Sequence, residues 1–202
     1  MKKQIIIAFC LLFITKENVT HAQDSSKVFF TTGIGYLSPN TQLNRVLRSS
    51  VALNSGIELT TKKNLFLHLT LDVNTLKYNQ HIRESESAYL VRNSNSPLVM
   101  LAASAGKNIR LNSRWFLSAY IGGGYINIGE PRAAIETGNI VKQTLTRSGN
   151  IFGKAGSKLK FNTNTKILHV IYLDVNWWTS PIKVQNASVS GFGFFIGSRM
   201  PM

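Results

Sequence analysis

Between Leu65 and Val73 the chain reads Leu65, Leu67, Leu69, Leu71 and Val73 in strict alternation with Phe66, His68, Thr70 and Asp72. A period of two places successive side chains on opposite faces of a β-sheet, so this segment is a strand with one oily face and one mixed, largely polar face. A strand of this kind needs an apolar medium on one side only, and the fold follows from which medium that is.

The 202 residues fit one domain, and a 44% hydrophobic content is that of a folded chain. The N-terminus has the pattern of a secretory signal: Lys2 and Lys3, an apolar run from Ile5 to Ile14, and Thr20 and Ala22 at the small-residue positions before a cleavage site near Ala22 or Gln23. The expected organisation is a cleaved signal over 1–22 and one barrel domain over 23–202. Cys10 lies inside the apolar run, follows Phe9 and precedes further apolar residues, which fits neither a lipoprotein site nor a disulfide in the mature chain. No later segment holds eighteen consecutive apolar residues. If the chain enters a membrane, it does so as strands.

Eight strands are predicted, at about 28–37, 50–60, 64–77, 98–106, 115–127, 150–161, 166–178 and 188–200. Their connections alternate between long segments (38–49, 78–97, 128–149, 179–187) and short turns (61–63, 107–114, 162–165). That alternation is the signature of an antiparallel up-and-down barrel with both chain ends on the short-turn side, the periplasmic side in an outer membrane.

Charge assigns the faces, because a basic residue on the lipid face near the midplane costs about 2–4 kcal/mol. The apolar parity (Ile34, Leu53, Leu101, Leu117, Ile121, Ile151, Leu173, Val175, Ile196 and their like) carries no Asp, Glu, Lys or Arg within the strand cores. The opposite parity holds Glu58, Asp72, Lys154, Lys158, Lys160, Asp174 and Arg199, together with Gly33, Gly35, Gly56, Gly122, Gly124, Gly191, Gly193 and Gly197. The reading is an apolar exterior around a polar, partly glycine-lined lumen whose seven charges form an internal ion-pair network. Phe30, Trp115 and Phe161 fall near the turn end of the outward face, and Tyr36, Tyr125, Trp177 and Phe192 near the loop end, as two aromatic girdles at membrane interfaces would. The competing architecture is a soluble periplasmic ligand-binding barrel with its apolar residues inward, which would call for a heavily charged exterior.

With strand count, loop asymmetry and the closing segment Ser190-Gly-Phe-Gly-Phe-Phe-Ile-Gly-Ser-Arg-Met200 in view, residues 27–202 resemble the small eight-stranded outer-membrane barrels of the OmpA and OmpX type and the porin-like β-barrel families. The resemblance implies an all-β transmembrane barrel in the outer membrane, recognised through its last strand by the barrel-assembly machinery. Here Pro201 and Met202 follow that strand where such signals usually finish on an aromatic. Eight strands enclose a lumen just wide enough to be filled by side chains, so a wide pore is not expected.

For catalysis, outward Ser157 and His169 are the pair considered: with a hairpin turning around Asn164 they would lie diagonally opposite, roughly 7–8 Å apart, but no carboxylate shares that face to orient the imidazole. Luminal His68 beside Glu58 is the other candidate, equally weak. No metal spacing links His21, His68, His81 and His169, no nucleotide loop is present, and no cofactor or catalytic residue is assigned. The formal charge is +14, and removal of residues 1–22 leaves 20 basic against 8 acidic residues, or +12. For an exported barrel this argues against nucleic acid and for anionic lipid. The loop end carries Arg45, Arg48, Lys77, Arg83, Arg92, Arg132, Lys142, Arg147 and Lys183 against Glu84, Glu86, Glu130 and Glu136, suited to an anionic glycolipid; the turn end carries Lys62, Lys63, Lys107, Arg110, Arg114 and Lys166 with no acid. The function expected is structural or surface-interactive, with the long loops recognising an extracellular or envelope partner. The alternatives are an accessory component of an envelope transport or secretion system, the soluble barrel, and a lipid-modifying enzyme.

Overall fold

Alternation written into the chain becomes pairing in the computed structural model, which describes residues 27–82, 89–136, 140–163, 165 and 169–202. The strands are β1 (Lys27–Pro39), the short β2 (Leu47–Arg48), β3 (Ser50–Thr60), β4 (Leu65–Tyr78), β5 (Ser94–Arg110), β6 (Trp115–Glu136), β7 (Ile140–Asn162), β8 (Val170–Val184) and β9 (Ala187–Pro201). Every strand except β2 belongs to the wall. Each wall strand pairs antiparallel with its neighbour in sequence, and β1 closes the ring against β9, with Phe29 opposite Pro201 and Ile34 opposite Ile196. A closed ring leaves no strand edge along the barrel wall, which is what a hydrocarbon medium demands of a β-structure. The chain is therefore an eight-stranded antiparallel up-and-down barrel. The expected signal over 1–22 lies outside the described residues.

The facing follows the parity read from the sequence. Leu65, Leu67, Leu69, Leu71 and Val73 are exposed on the outside, as are Leu53, Leu101, Ile121, Ile151, Leu173 and Ile196, while Phe66, His68, Thr70 and Asp72 are buried inside. A soluble barrel would show the reverse arrangement. The exposed band has the form of a surface matched to lipid.

Two of the long connections are paired strand. Residues 128–149 are not an irregular loop: the β6–β7 ladder continues from Ile128 opposite Ser148 to Glu136 opposite Ile140, a ribbon roughly 30 Å long at about 3.4 Å per residue. The segment 179–187 is likewise a continued hairpin, with a register shift between Thr179 and Lys183 and a tight turn at Gln185 and Asn186. Both turn residues have positive φ, 47° and 66°. That is the backbone of the turn whose twist matches paired strands, so a two-residue connection replaces the longer loop.

Candidate functional site: a two-storey lumen and the surfaces at its ends

Inward-pointing side chains divide the lumen by height. At the turn end lies the charged storey. Lys160 Nζ donates to Glu58 Oε1 at 3.0 Å and Oε2 at 3.1 Å, and Arg199 Nη1 donates to Glu58 Oε1 at 2.6 Å. Lys160 also donates to Asn108 Oδ1 at 3.0 Å, and its ammonium lies 4.6 Å from the centre of the Phe66 ring. The Arg199 guanidinium lies 3.9 Å from the centre of the Phe29 ring.

One layer higher, Lys158 Nζ donates to His68 Nδ1 at 2.9 Å and stands 3.8 Å from Asp174 Oδ2, flanked by the Tyr120 and Tyr172 rings at 5.3 and 5.2 Å. With Nδ1 accepting, His68 Nε2–H is left to donate to Thr31 Oγ1 at 2.9 Å. Tyr120 OH donates to Asp174 Oδ1 at 2.7 Å. Above these, Lys154 Nζ donates to Asp72 Oδ2 at 2.8 Å, and Asn54 Nδ2 donates to Asp72 Oδ1.

All seven sequence-predicted luminal charges thus face inward and meet across the barrel. Sequence reasoning left His68 outside the network and gave no role to Tyr120, Tyr172, Asn54 and Asn108. Their shared inward parity was the available signal, but uncharged groups do not announce partners on distant strands.

The loop-end half is different and corrects the expectation of a polar interior throughout. Leu76, Leu98, Met100, Ile126, Ile128, Phe152, Trp178 and Phe195 are all buried there in one apolar cluster. Leu43, Val46 and Leu47, from the segment read as a free loop, complete it. That segment turns inward through a short 3-10 turn, Leu43–Arg45, held by Asn40, whose Oδ1 accepts from Leu43 N at 2.8 Å and whose Nδ2 donates to Ser190 Oγ at 2.5 Å. Glu130 and Arg132, placed among the loop-end charges suited to a glycolipid, are buried: Arg132 Nη2 meets Glu130 Oε2 at 3.0 Å, and its Nη1 donates to Tyr78 OH at 2.7 Å. The cause is the extension of β6, which carries its inward parity beyond Ile128.

Some of the luminal glycines make room for rings. A Cβ on Gly156 would collide with Tyr120, and one on Gly197 with Tyr172. Phe195 covers Gly35 in the same way.

On the outside, Trp115 packs on Phe161 at the turn end with ring centres 4.8 Å apart, and Trp177 stands opposite Phe192 at the loop end. Phe30, Tyr36 and Tyr125 are exposed on the same outward face.

The Ser157–His169 pair does not form. Ser157 stands opposite Val175, while His169 pairs at the turn with Thr163, six residues away along β7, or roughly 20 Å. The hairpin is centred two residues later than expected, and His169 stacks on luminal Phe29, ring centres 6.1 Å apart, instead of facing lipid. Partial burial, and then the positive charges of Arg199 and Lys27, hold His169 below the usual histidine range. Arg83, Glu84, Glu86, Lys166 and Ile167 lie outside the described residues, as does the Glu136 side chain.

No family model matches the sequence, and no curated protein is similar to it by sequence. Among solved structures, the Neisserial surface protein A is similar in fold, with a TM-score of 0.56 at 10% identity over 89% of this chain and 100% of that chain. The attachment invasion locus protein of Yersinia pestis gives 0.44 at 12% identity over 87% of this chain and 99% of that one, and the N-terminal β-barrel domain of Pseudomonas aeruginosa OprF gives 0.43 at 10% over 87% and 100%. Ring closure, outward apolar belt and the first of these likenesses together give this chain the fold of the small eight-stranded outer-membrane β-barrels.

Proposed function

We propose that this protein is an integral outer-membrane β-barrel, exported through a cleaved signal and folded by the barrel-assembly machinery through its last strand. Its role is structural or surface-interactive and not enzymatic. The observation that carries this reading is the exposed apolar belt, which holds no charge in its middle and meets Lys107 only towards the turn end, wrapped around a lumen in which Glu58, Asp72 and Asp174 are buried with their basic partners. In water such an arrangement is inverted; in lipid it is the stable one.

The lumen is closed by side chains in two stages, the ion-paired storey below and the apolar storey capped by Leu43, Val46 and Leu47 above. Recognition then falls to the loop end. The β6–β7 ribbon exposes Ile135, Val141 and Leu145, and no described strand pairs with β7 on its far side before Gly153. An edge of that kind suits an extracellular or envelope protein partner that adds a strand. Beside it, Arg45, Arg48 and Arg92 line a depression of about 840 Å³ with no carboxylate among its described lining residues, which suits the phosphates of an anionic outer-leaflet glycolipid.

The test is membrane fractionation combined with a heat-modifiability gel. Recovery in the outer-membrane fraction with a mobility change on boiling is the expected result. Recovery in the aqueous periplasmic extract without a mobility change would overturn the reading.

A further inference from the structure

The turn-end mouth of the lumen holds more positive charge than the described luminal carboxylates neutralise. Inside the charged storey Asp72 faces Lys154, Asp174 faces Lys158, and Glu58 alone faces two cations, Lys160 and Arg199. Among the described luminal charges of this storey there are thus four cations to three carboxylates, and the excess lies at the mouth.

A cavity of about 350 Å³ opens there, lined by Lys27, Lys62, Lys160, Arg199, His169 and Phe29 among others, with no carboxylate among its described lining residues. The Arg199 guanidinium lies over the Phe29 ring with one nitrogen committed to Glu58, yet its Nε is buried with no acceptor among the described residues. A buried guanidinium N–H without an acceptor is costly, and the deficit is one an oxyanion relieves. Lys27 and Lys62 have no acidic partner among the described residues and sit where an incoming anion would pass.

We propose that this cavity is a binding site for a phosphate-class oxyanion, which accepts from Arg199 Nε and is ringed by Lys27 and Lys62. The ion neutralises the excess charge and closes the turn-end mouth. Two sources offer this chemistry, a phospholipid headgroup at the adjoining bilayer surface and free phosphate. The proposal takes from the membrane-barrel reading only the side on which the mouth opens.

The experiment titrates inorganic phosphate into the detergent-extracted protein in dodecyl maltoside, which contains no phosphate, and follows binding by calorimetry. The expected result is saturable heat, with affinity at least tenfold weaker in Arg199→Lys, which keeps the charge but loses Nε, and in Lys62→Gln. The heat-modifiability gel checks that each variant is folded, so failure of the barrel reading shows in the gel and failure of this proposal in the titration. Absence of saturable heat, or an affinity that neither substitution changes, overturns the proposal. Repetition in phosphatidylglycerol bilayers assigns the source: loss of the phosphate heat identifies the headgroup as occupant, and its persistence identifies the free ion.

Discussion

Single side chains decide whether this lumen is stable, and Glu58 is the clearest case. It is the shared acceptor for Lys160 and Arg199 in a site where neither can reach bulk water freely. Removing one partner of a buried pair leaves an uncompensated charge, at a cost of about 3–5 kcal/mol. Glu58→Gln is expected to lower unfolding stability by that amount, measured by urea titration of the barrel refolded in detergent micelles. His169 behaves differently because it lies at the mouth and is only partly buried. Its folded pKa lies below the 6.5 of a free histidine, so the unfolded chain takes up a proton first as pH falls. The neutral form's contribution is complete above about pH 6.5 and is lost as acidification proceeds below it. His169→Asn is expected to flatten the pH dependence of stability between pH 7 and pH 5, and an unchanged slope would count against the field of Arg199 and Lys27 at this ring.

Among the elements, the strands were legible and the connections were not. Alternation reports a strand's facing as long as one face meets lipid and the other the lumen. Beyond the membrane belt the two faces no longer meet lipid and lumen, so the period fades while the pairing persists, as from Ile128 to Glu136, where Glu130, Pro131, Arg132 and Ala133 are buried in succession. This ribbon stands outside the wall, and deletion of residues 133–146 is expected to leave barrel assembly intact on the heat-modifiability gel. The cap after β1 is a contrasting case, because Leu43 is fully buried in the apolar storey. Leu43→Asp is expected to expel it and to raise proteolytic cleavage between Asn40 and Ser49 in the folded barrel, with the wall unaffected.

For the whole molecule, the governing quantity is which solvent each face meets. Leu69, in the middle of the alternating run, points outward and its neighbour Thr70 inward. Leu69→Arg is expected to cost about 2–4 kcal/mol in lipid vesicles. In a soluble barrel the same substitution would be nearly neutral, so the measurement also tests the membrane assignment independently of fractionation.

The sequence by itself determined the eight strands, their faces, the outward apolar belt and the inward position of Glu58, Asp72, Lys154, Lys158, Lys160, Asp174 and Arg199. These are local properties, set by a period of two and by the cost of charge in lipid. Which cation meets which carboxylate, the lodging of Tyr120 over Gly156 and Tyr172 over Gly197, the burial of Glu130 with Arg132, and the separation of Ser157 from His169 were decided only by the tertiary structure. Each of these depends on the stagger between strands and on where a hairpin turns. A shift of two residues in one turn preserves every face and moves every partner, and closure of the ring is what selects one stagger from those the pattern allows.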